Sequence, residues 1–173
     1  MGFEYGILVM RVILGLGLAA HGAQKLFGWF GGYGLAGTGR FFESIGFRPG
    51  RFFAALAGLG EFVGGLLIAL GLLGAVGPML IIAVMIVAIF AVHRRNGFFA
   101  QNNGFELPLI YAISAATYAF RGFGPIALDP VFGISVMSRP SVVWALLALG
   151  VVGGLLSLAA RRSPVPQSQP SAT

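Results

Sequence analysis

The chain has 173 residues, of which 57% are hydrophobic and only 9% are charged, and its formal net charge is +6. Soluble domains carry about 25% charged residues, so this composition excludes a soluble globular fold and predicts a lipid bilayer as solvent. The chain has no cysteine, which excludes disulfides, thiolate metal ligands and a thiol relay of its own. Its basic residues adjoin apolar segments, which is typical of membrane topology and not of nucleic-acid binding.

Five apolar stretches predict membrane-spanning helices, because a bilayer core about 30 Å thick needs about 20 apolar residues in a helix. In chain order they run from Tyr5 to Phe27, Phe52 to Leu73, Val76 to Val92, Glu106 to Phe120 and Val142 to Ala160. The predicted fold is all-α, a polytopic membrane four-helix bundle with an additional C-terminal transmembrane helix. We expect a four-helix domain at 5–130, an outer loop and fifth helix at 131–160, and a disordered cytoplasmic tail at 161–173, where proline and serine are frequent.

The distribution of basic residues predicts the orientation of these helices. With five spans, eight basic residues fall on one side of the membrane: Lys25, Arg40, Arg48, Arg51, Arg94, Arg95, Arg161 and Arg162. The other side has Arg121 and Arg139. Because cytoplasmic loops carry the excess of lysine and arginine, the N-terminus is predicted outside and the C-terminus in the cytoplasm.

Ionisable residues inside the predicted spans are the candidate functional residues, since each is costly to place in hydrocarbon. Arg11, His21 and Lys25 share an arc of about 80° on the first helix, at 100° per residue. Glu61 lies near the middle of the second helix among alanines and glycines, so it is expected to face the bundle. By depth, either Arg11 or His21 is placed to reach Glu61.

Two interpretations of these residues remain open. An ion pair between Glu61 and the first helix can serve only to fix the register of two helices. Alternatively, the ionisable residues of both helices line a small buried site with the polar face of the fourth helix, formed by Tyr111, Ser114 and Tyr118. His93 is interpreted as an ordinary interfacial residue; we expect no haem between the two histidines and no metal site.

Two local patterns carry further expectations. Asn103 and Glu106 have the spacing of a capping box at the start of the fourth helix. Glycines with GxxxG spacing, which in membranes often mark contacts between helices, admit a homo-oligomer. They are Gly60 with Gly64 and Gly150 with Gly154.

The run RVILGLGLAAHGAQKLFGWFGGYG at 11–34, followed by GLGEFVGGLLIALGLL at 58–73, resembles the DoxX family of small bacterial membrane proteins. The matching positions of the first helix are Arg11, His21, Gly22 and Lys25. Those of the second are Gly58, Glu61, Gly64 and Gly65. A loop after the fourth helix keeps Gly122, Gly124 and Asp129 but has phenylalanine and alanine where the family pattern has proline and serine. The resemblance covers residues 5 to about 130.

The resemblance implies a multi-pass protein of the bacterial plasma membrane. Relatives are similar to the DoxD subunit of thiosulfate:quinone oxidoreductase, and some are linked to thiol and oxidative-stress systems as membrane partners. The first hypothesis is therefore a membrane subunit or partner in a thiol, sulfur or quinone-linked redox system, with a quinone as its candidate cofactor. The alternatives are a non-catalytic scaffold that recruits a soluble oxidoreductase to its basic cytoplasmic face, and a small-solute transporter.

Overall fold

The computed structural model describes residues 2–162 and confirms the all-α prediction, because this part of the chain forms helices and no strand. The α-helices are α1 Gly2–Phe27, α2 Gly34–Ser44, α3 Gly50–Leu70, α4 Val76–Ala88, α5 Glu106–Arg121, α6 Leu128–Val131 and α7 Pro140–Ala159. A π-helical turn at Ile89–His93 prolongs α4. Short 3₁₀ turns lie at Trp29–Gly31, Arg94–Asn96, Ala100–Asn102 and Val136–Ser138.

Four helical segments in the described range are long and apolar enough to cross a membrane: Gly2–Phe27, Gly50–Leu70, Val76–Asn96 and Pro140–Ala159. They correspond to the first, second, third and fifth predicted spans. The predicted fourth span forms α5, whose 16 residues extend about 24 Å and fall short of the bilayer core. The outward side of α5 is nevertheless apolar, with Ile110, Ile113 and Phe120 exposed. This short helix therefore completes the bundle without the length of a full span.

The first loop contains α2, a helix that the sequence analysis did not predict. Three of its eleven residues are glycine, and each glycine lowers intrinsic helix stability by about 1 kcal/mol relative to alanine. Tertiary packing offsets this loss: Phe42 is buried, and a Cβ on Gly39 would lie 2.9 Å from Cγ of Arg51 on α3. The helix forms because it has α3 to pack against.

Helices α1 and α3 pack with their backbones in direct contact. A Cβ on Gly15 would lie 2.5 Å from the Ala69 nitrogen, and one on Gly22 would lie 2.6 Å from the Gly58 carbonyl oxygen. Gly65 on α3 is equally close to the Gly15 carbonyl oxygen, at 2.5 Å. Only glycine fits at these three positions, and small residues are the usual means by which membrane helices approach closely.

The two GxxxG pairs are used inside the chain. Gly150 and Gly154 of α7 lie against the carbonyls of Met79 and Ala83 on α4, and a Cβ on Gly60 would lie 2.6 Å from Val84. A Cβ on Gly64 would lie 3.1 Å from the carbonyl oxygen of Gly77 on α4. These glycines therefore pack α4 between α3 and α7, and a homo-oligomer remains a prediction that needs another surface.

The two ends of the bundle differ in charge. Helices α1, α4 and α7 end, and α3 and α5 begin, at what we call the basic end, where the Arg162 nitrogen donates to the Gly46 carbonyl at 2.8 Å. The eight lysines and arginines predicted for one side, of eleven in the chain, lie on the helix ends and connections at this end. Arg161 and Arg162 dock on the α2–α3 connection, and the rest of the predicted tail lies outside the described residues.

Candidate functional site

An ion pair joins α1 to α3 in the half of the bundle near the basic end. Lys25 Nζ lies 2.5 Å from Glu61 Oε2, with 28% of the lysine side chain and 6% of the glutamate side chain exposed. The glycine contacts position this pair, since Gly22 and Gly58 bring the two backbones together one turn away from each partner. The long aliphatic stem of lysine spans the remaining difference in depth.

The pair borders a cavity of about 290 Å³ enclosed by α1 to α5 and the loop after α4. Most of its wall is aliphatic and aromatic. Its polar groups are His21, Lys25, Glu61, His93, Asn103 and Tyr111. His21 and Tyr111 face each other across the gap between α1 and α5, with ring centroids 6.2 Å apart. Since the His21 side of this gap is exposed, the cavity opens sideways between these helices.

The wall of the cavity nearest the basic end is built by the π-helical turn that prolongs α4. His93 Nδ1 is 2.8 Å from the Asn103 carbonyl oxygen, and Asn96 Nδ2 donates to the same oxygen at 3.1 Å. Such turns re-aim side chains within a helix and recur at functional sites. His93, interpreted from sequence as interfacial, therefore closes one wall of the cavity.

The predicted capping box at the start of α5 is wrong. Within the part of the chain that the structure describes, no side chain caps α5; Asn103 adopts a left-handed conformation, and its carbonyl oxygen is bound by His93 and Asn96. The Glu106 carboxylate instead accepts from the Ala100 nitrogen at 2.8 Å. Both residues stabilise the loop that covers the cavity.

Arg11 lies away from this cavity, at the opposite end of the bundle. Its guanidinium is buried and donates to the carbonyls of Ile68, at 3.3 Å, and Ala69, at the end of α3, and to that of Ile126 in the loop after α5. A positive charge is favourable at a helix C-terminus, where carbonyls lack intrahelical partners. Along α1, 14 residues separate Arg11 from Lys25, about 21 Å, so the structure does not bring Arg11 to Glu61.

The loop predicted from the family pattern holds the α3–α4 turn. Asp129 is buried, and its carboxylate accepts from the Leu73 and Gly74 nitrogens at 2.7 and 2.8 Å. Leu73 has a φ of 60°, a conformation that the aspartate helps to hold. Gly122 and Gly124 have φ values of 73° and 79° and turn the chain back over the bundle. These three residues make a structural clamp.

Replacing Asp129 by alanine should remove both acceptors and leave one buried and one partly buried N–H group without these partners. We expect the free energy of unfolding to fall by about 2–4 kcal/mol, and by less for Asp129→Asn, which keeps one carbonyl acceptor. Thermal unfolding in detergent, followed by circular dichroism, measures this. Glu43→Ala, which loses one 3.2 Å bond from the Gly50 nitrogen near the surface, is the control. Equal losses for Asp129→Ala and Glu43→Ala would contradict the clamp.

The remaining predicted residues, Ser114 and Tyr118, lie on neither the ion pair nor the cavity. They border a groove between α1 and α5 together with Met10 and Leu14, farther toward the opposite end. Sequence reasoning thus grouped seven polar residues that the structure divides between a cavity, a groove and a helix cap. It missed the place of Asn103 in the cavity wall and the apolar wall from α2, because both depend on connecting segments that fold back over the bundle.

The DoxX family model matches residues 6–94. The Bacillus subtilis protein named "Putative oxidoreductase CatD" is 33% identical over 128 residues, which are 74% of this chain and 87% of that protein. The chain belongs to the DoxX family. A Haemophilus influenzae protein named "Uncharacterized protein" is 36% identical over 80 residues, 44% of this chain and 60% of that protein. No solved structure matches the chain.

The DoxX match runs from α1 through the π-helical turn and contains the ion pair and His93, whereas Tyr111 and Asp129 lie beyond it. Family membership and the four long apolar helices identify a multi-pass membrane protein. The cavity of this DoxX protein is therefore completed by α5, outside the matched segment.

Proposed function

We propose that this protein is the membrane subunit of a redox system and that its cavity holds the head group of a quinone. The observation that carries the proposal is the cavity, whose largely apolar wall contains the Lys25–Glu61 ion pair and several hydrogen-bond donors. Pockets for small ligands have this character, with few polar groups that fix the ligand's orientation. The name of the B. subtilis relative supports a redox role.

The donors fit the acceptors of a quinone. Lys25 Nζ, the Tyr111 hydroxyl and a ring nitrogen of His21 are the groups that would bind its carbonyl oxygens. The chain contributes no cysteine, so electrons must be carried by a bound molecule or by a partner. A quinone supplies two-electron chemistry that the protein's own side chains lack.

An apolar tail has a route out of the cavity. Leu18 and Tyr111 line the cavity, while Leu14 and Ser114, one helical turn farther along α1 and α5, line the groove that follows. The groove faces the surroundings of the bundle, where lipid is expected. A molecule with a polar head and an isoprenoid tail fits this arrangement, with its head in the cavity and its tail in the groove.

Binding of decylubiquinone to the purified protein in nanodiscs tests the proposal. Tyr111→Phe should weaken binding about five- to tenfold, the loss of one hydrogen bond. Tyr5→Phe, a matched change at an exposed tyrosine that lines neither the cavity nor the groove, should leave binding unaltered. Absence of binding to the unmodified protein, or equal effects of the two changes, would contradict the proposal.

A second candidate function is a scaffold that recruits a soluble oxidoreductase to the basic end, which we propose faces the cytoplasm. The acidic side chains at this end, Glu43 and Glu106, bind backbone nitrogens of their own chain, whereas Arg94 and Arg95 are exposed. A double charge reversal at Arg94 and Arg95 should abolish co-purification of such a partner, while Arg121→Glu at the opposite end should not.

A further inference from the structure

Lys25 lies between two spaces. It lines the cavity, and it also lines a surface groove of about 570 Å³ at the basic end, formed by the end of α1, the connection after it and α2. Phe41 is the other residue shared by both spaces. Because the lysine side chain is partly exposed while Glu61 is almost fully buried, the ion pair connects the surface groove to the interior.

The cavity beside this pair is lined by further titratable groups. α1 presents His21 and Lys25, α3 presents Glu61, the π-helical turn presents His93 and α5 presents Tyr111. α2 adds the Thr38 hydroxyl, which donates to the Lys25 carbonyl oxygen at 3.4 Å, and otherwise apolar side chains. The cavity is thus the part of the bundle where proton-carrying groups from several elements meet.

Beyond the cavity, the interior is apolar. Leu18, Ile68, Ile81 and Ala115 are at most 1% exposed and belong to one packed cluster between the cavity and the opposite end. The Arg11 cap and the Asp129 clamp lie on the far side of this apolar layer. Native cores are packed too densely for water to pass without rearrangement.

We propose that the Lys25–Glu61 pair carries protons between water at the basic end and the cavity, and that the apolar layer blocks access from the opposite end. The Lys25 ammonium gives its proton to a ligand oxygen as that oxygen gains electrons, and the amine takes a proton back from water in the surface groove. Glu61 is a positioning residue that holds the ammonium between the two spaces.

The use of these protons rests on the proposed function, whereas the route depends only on residues of this chain. A dithiol that reduces a bound quinone loses two electrons and two protons and becomes a disulfide. The quinone gains two electrons and two protons and becomes a quinol. Two transfers through Lys25 balance this reaction when the thiol protons are released to water at the basic end.

Single cysteines test the route directly, because the chain has none of its own. In sealed vesicles of known orientation, a membrane-impermeant maleimide applied at the basic end should label Gln24→Cys in the groove and His21→Cys in the cavity. Ala115→Cys in the apolar layer should stay unlabelled from both sides. Labelling of His21→Cys from the opposite end, or from neither end, would overturn the one-sided route; labelling from both ends would overturn it too and favour a transporter.

Proton delivery is tested by the rate at which dithiothreitol reduces decylubiquinone bound in nanodiscs, at saturating decylubiquinone. Lys25→Met should slow the reaction at least tenfold. Lys25→Arg keeps the charge beside Glu61, but a guanidinium does not release its proton in proteins, so it should be equally slow. A wild-type rate for Lys25→Arg would reduce the pair to an electrostatic role and overturn the proposal.

The two tests separate the failure of this inference from the failure of the proposed function. One-sided labelling of His21→Cys, combined with no binding of decylubiquinone to the unmodified protein, would support the route and contradict quinone binding. The opposite result is that decylubiquinone protects His21→Cys from labelling while Lys25→Met leaves the rate of decylubiquinone reduction unchanged. That result would support the quinone site and contradict the proton role of Lys25.

Discussion

Replacing Gly22 by alanine is expected to push α1 away from α3 and to destabilise the bundle. The new methyl group would collide with the Phe62 nitrogen and lie 2.6 Å from the Gly58 carbonyl oxygen, both of them backbone atoms that cannot rotate aside. Overpacking of this kind costs about 1–3 kcal/mol, occasionally more. Gly15→Ala should behave in the same way against Ala69 and Gly65.

Gly17→Ala is the matched control on the same helix, since no atom of residues 2–162, apart from its chain neighbours and the α1 backbone, lies within 4 Å of the position that its new Cβ would occupy. Alanine is favoured over glycine in a helix by about 1 kcal/mol, so this change should leave the melting temperature in detergent unchanged or raise it. A separation of α1 from α3 also displaces Lys25 from Glu61, so Gly22→Ala should alter labelling of His21→Cys. Equal melting temperatures for Gly22→Ala and Gly17→Ala would contradict the close packing.

Replacing Arg11 by alanine is expected to destabilise the protein by about 3 kcal/mol or more, because hydrogen bonds from a charged group contribute about 1.5–3 kcal/mol each. The guanidinium joins the end of α3 to the loop after α5, and its removal leaves the carbonyls of Ile68, Ala69 and Ile126 without this donor. The free energy of unfolding in detergent, compared with that of the unmodified protein, measures the effect.

Arg11→Lys and Arg121→Ala are the controls for this prediction. Lysine keeps a cation at the end of α3 but lacks the planar fork of donors, so a smaller loss is expected. Arg121 lies over the Phe3 ring at the surface, at 5.1 Å, and its loss should cost less than about 1 kcal/mol. Because Arg11 lies outside the cavity, Arg11→Lys should bind decylubiquinone normally. A tenfold weaker affinity would indicate that Arg11 belongs to the ligand site.

The contrast between Arg11 and Lys25 shows where sequence reasoning about the site reached its limit. Helical periodicity placed both residues on one face of α1, and depth along the helix made Arg11 or His21 the predicted partner for Glu61. Depth alone does not say how two helices are tilted or how far a side chain extends. The structure pairs Glu61 with Lys25 and uses Arg11 to cap α3.

The site also depends on segments whose local sequence predicts no regular structure. α2 is rich in glycine and forms against α3, and the loop at 97–105 folds over the cavity through the Asn103 carbonyl. Each depends on contacts between residues far apart in the chain, which a pattern along the sequence does not contain. The walls of the cavity could therefore not be predicted, although several of its polar residues were.

Hydropathy and residue spacing were enough to establish the bilayer as solvent, the all-α class, the family, and four of the five predicted spans as long apolar helices, because these are local properties that do not depend on packing. Which polar groups meet could be learned only from the folded chain, since that depends on the glycine contacts that set the distances between helices. Because of the same contacts, Arg11 caps α3 at one end of the bundle, whereas Lys25, on the same face of α1, forms an ion pair beside the cavity near the other end.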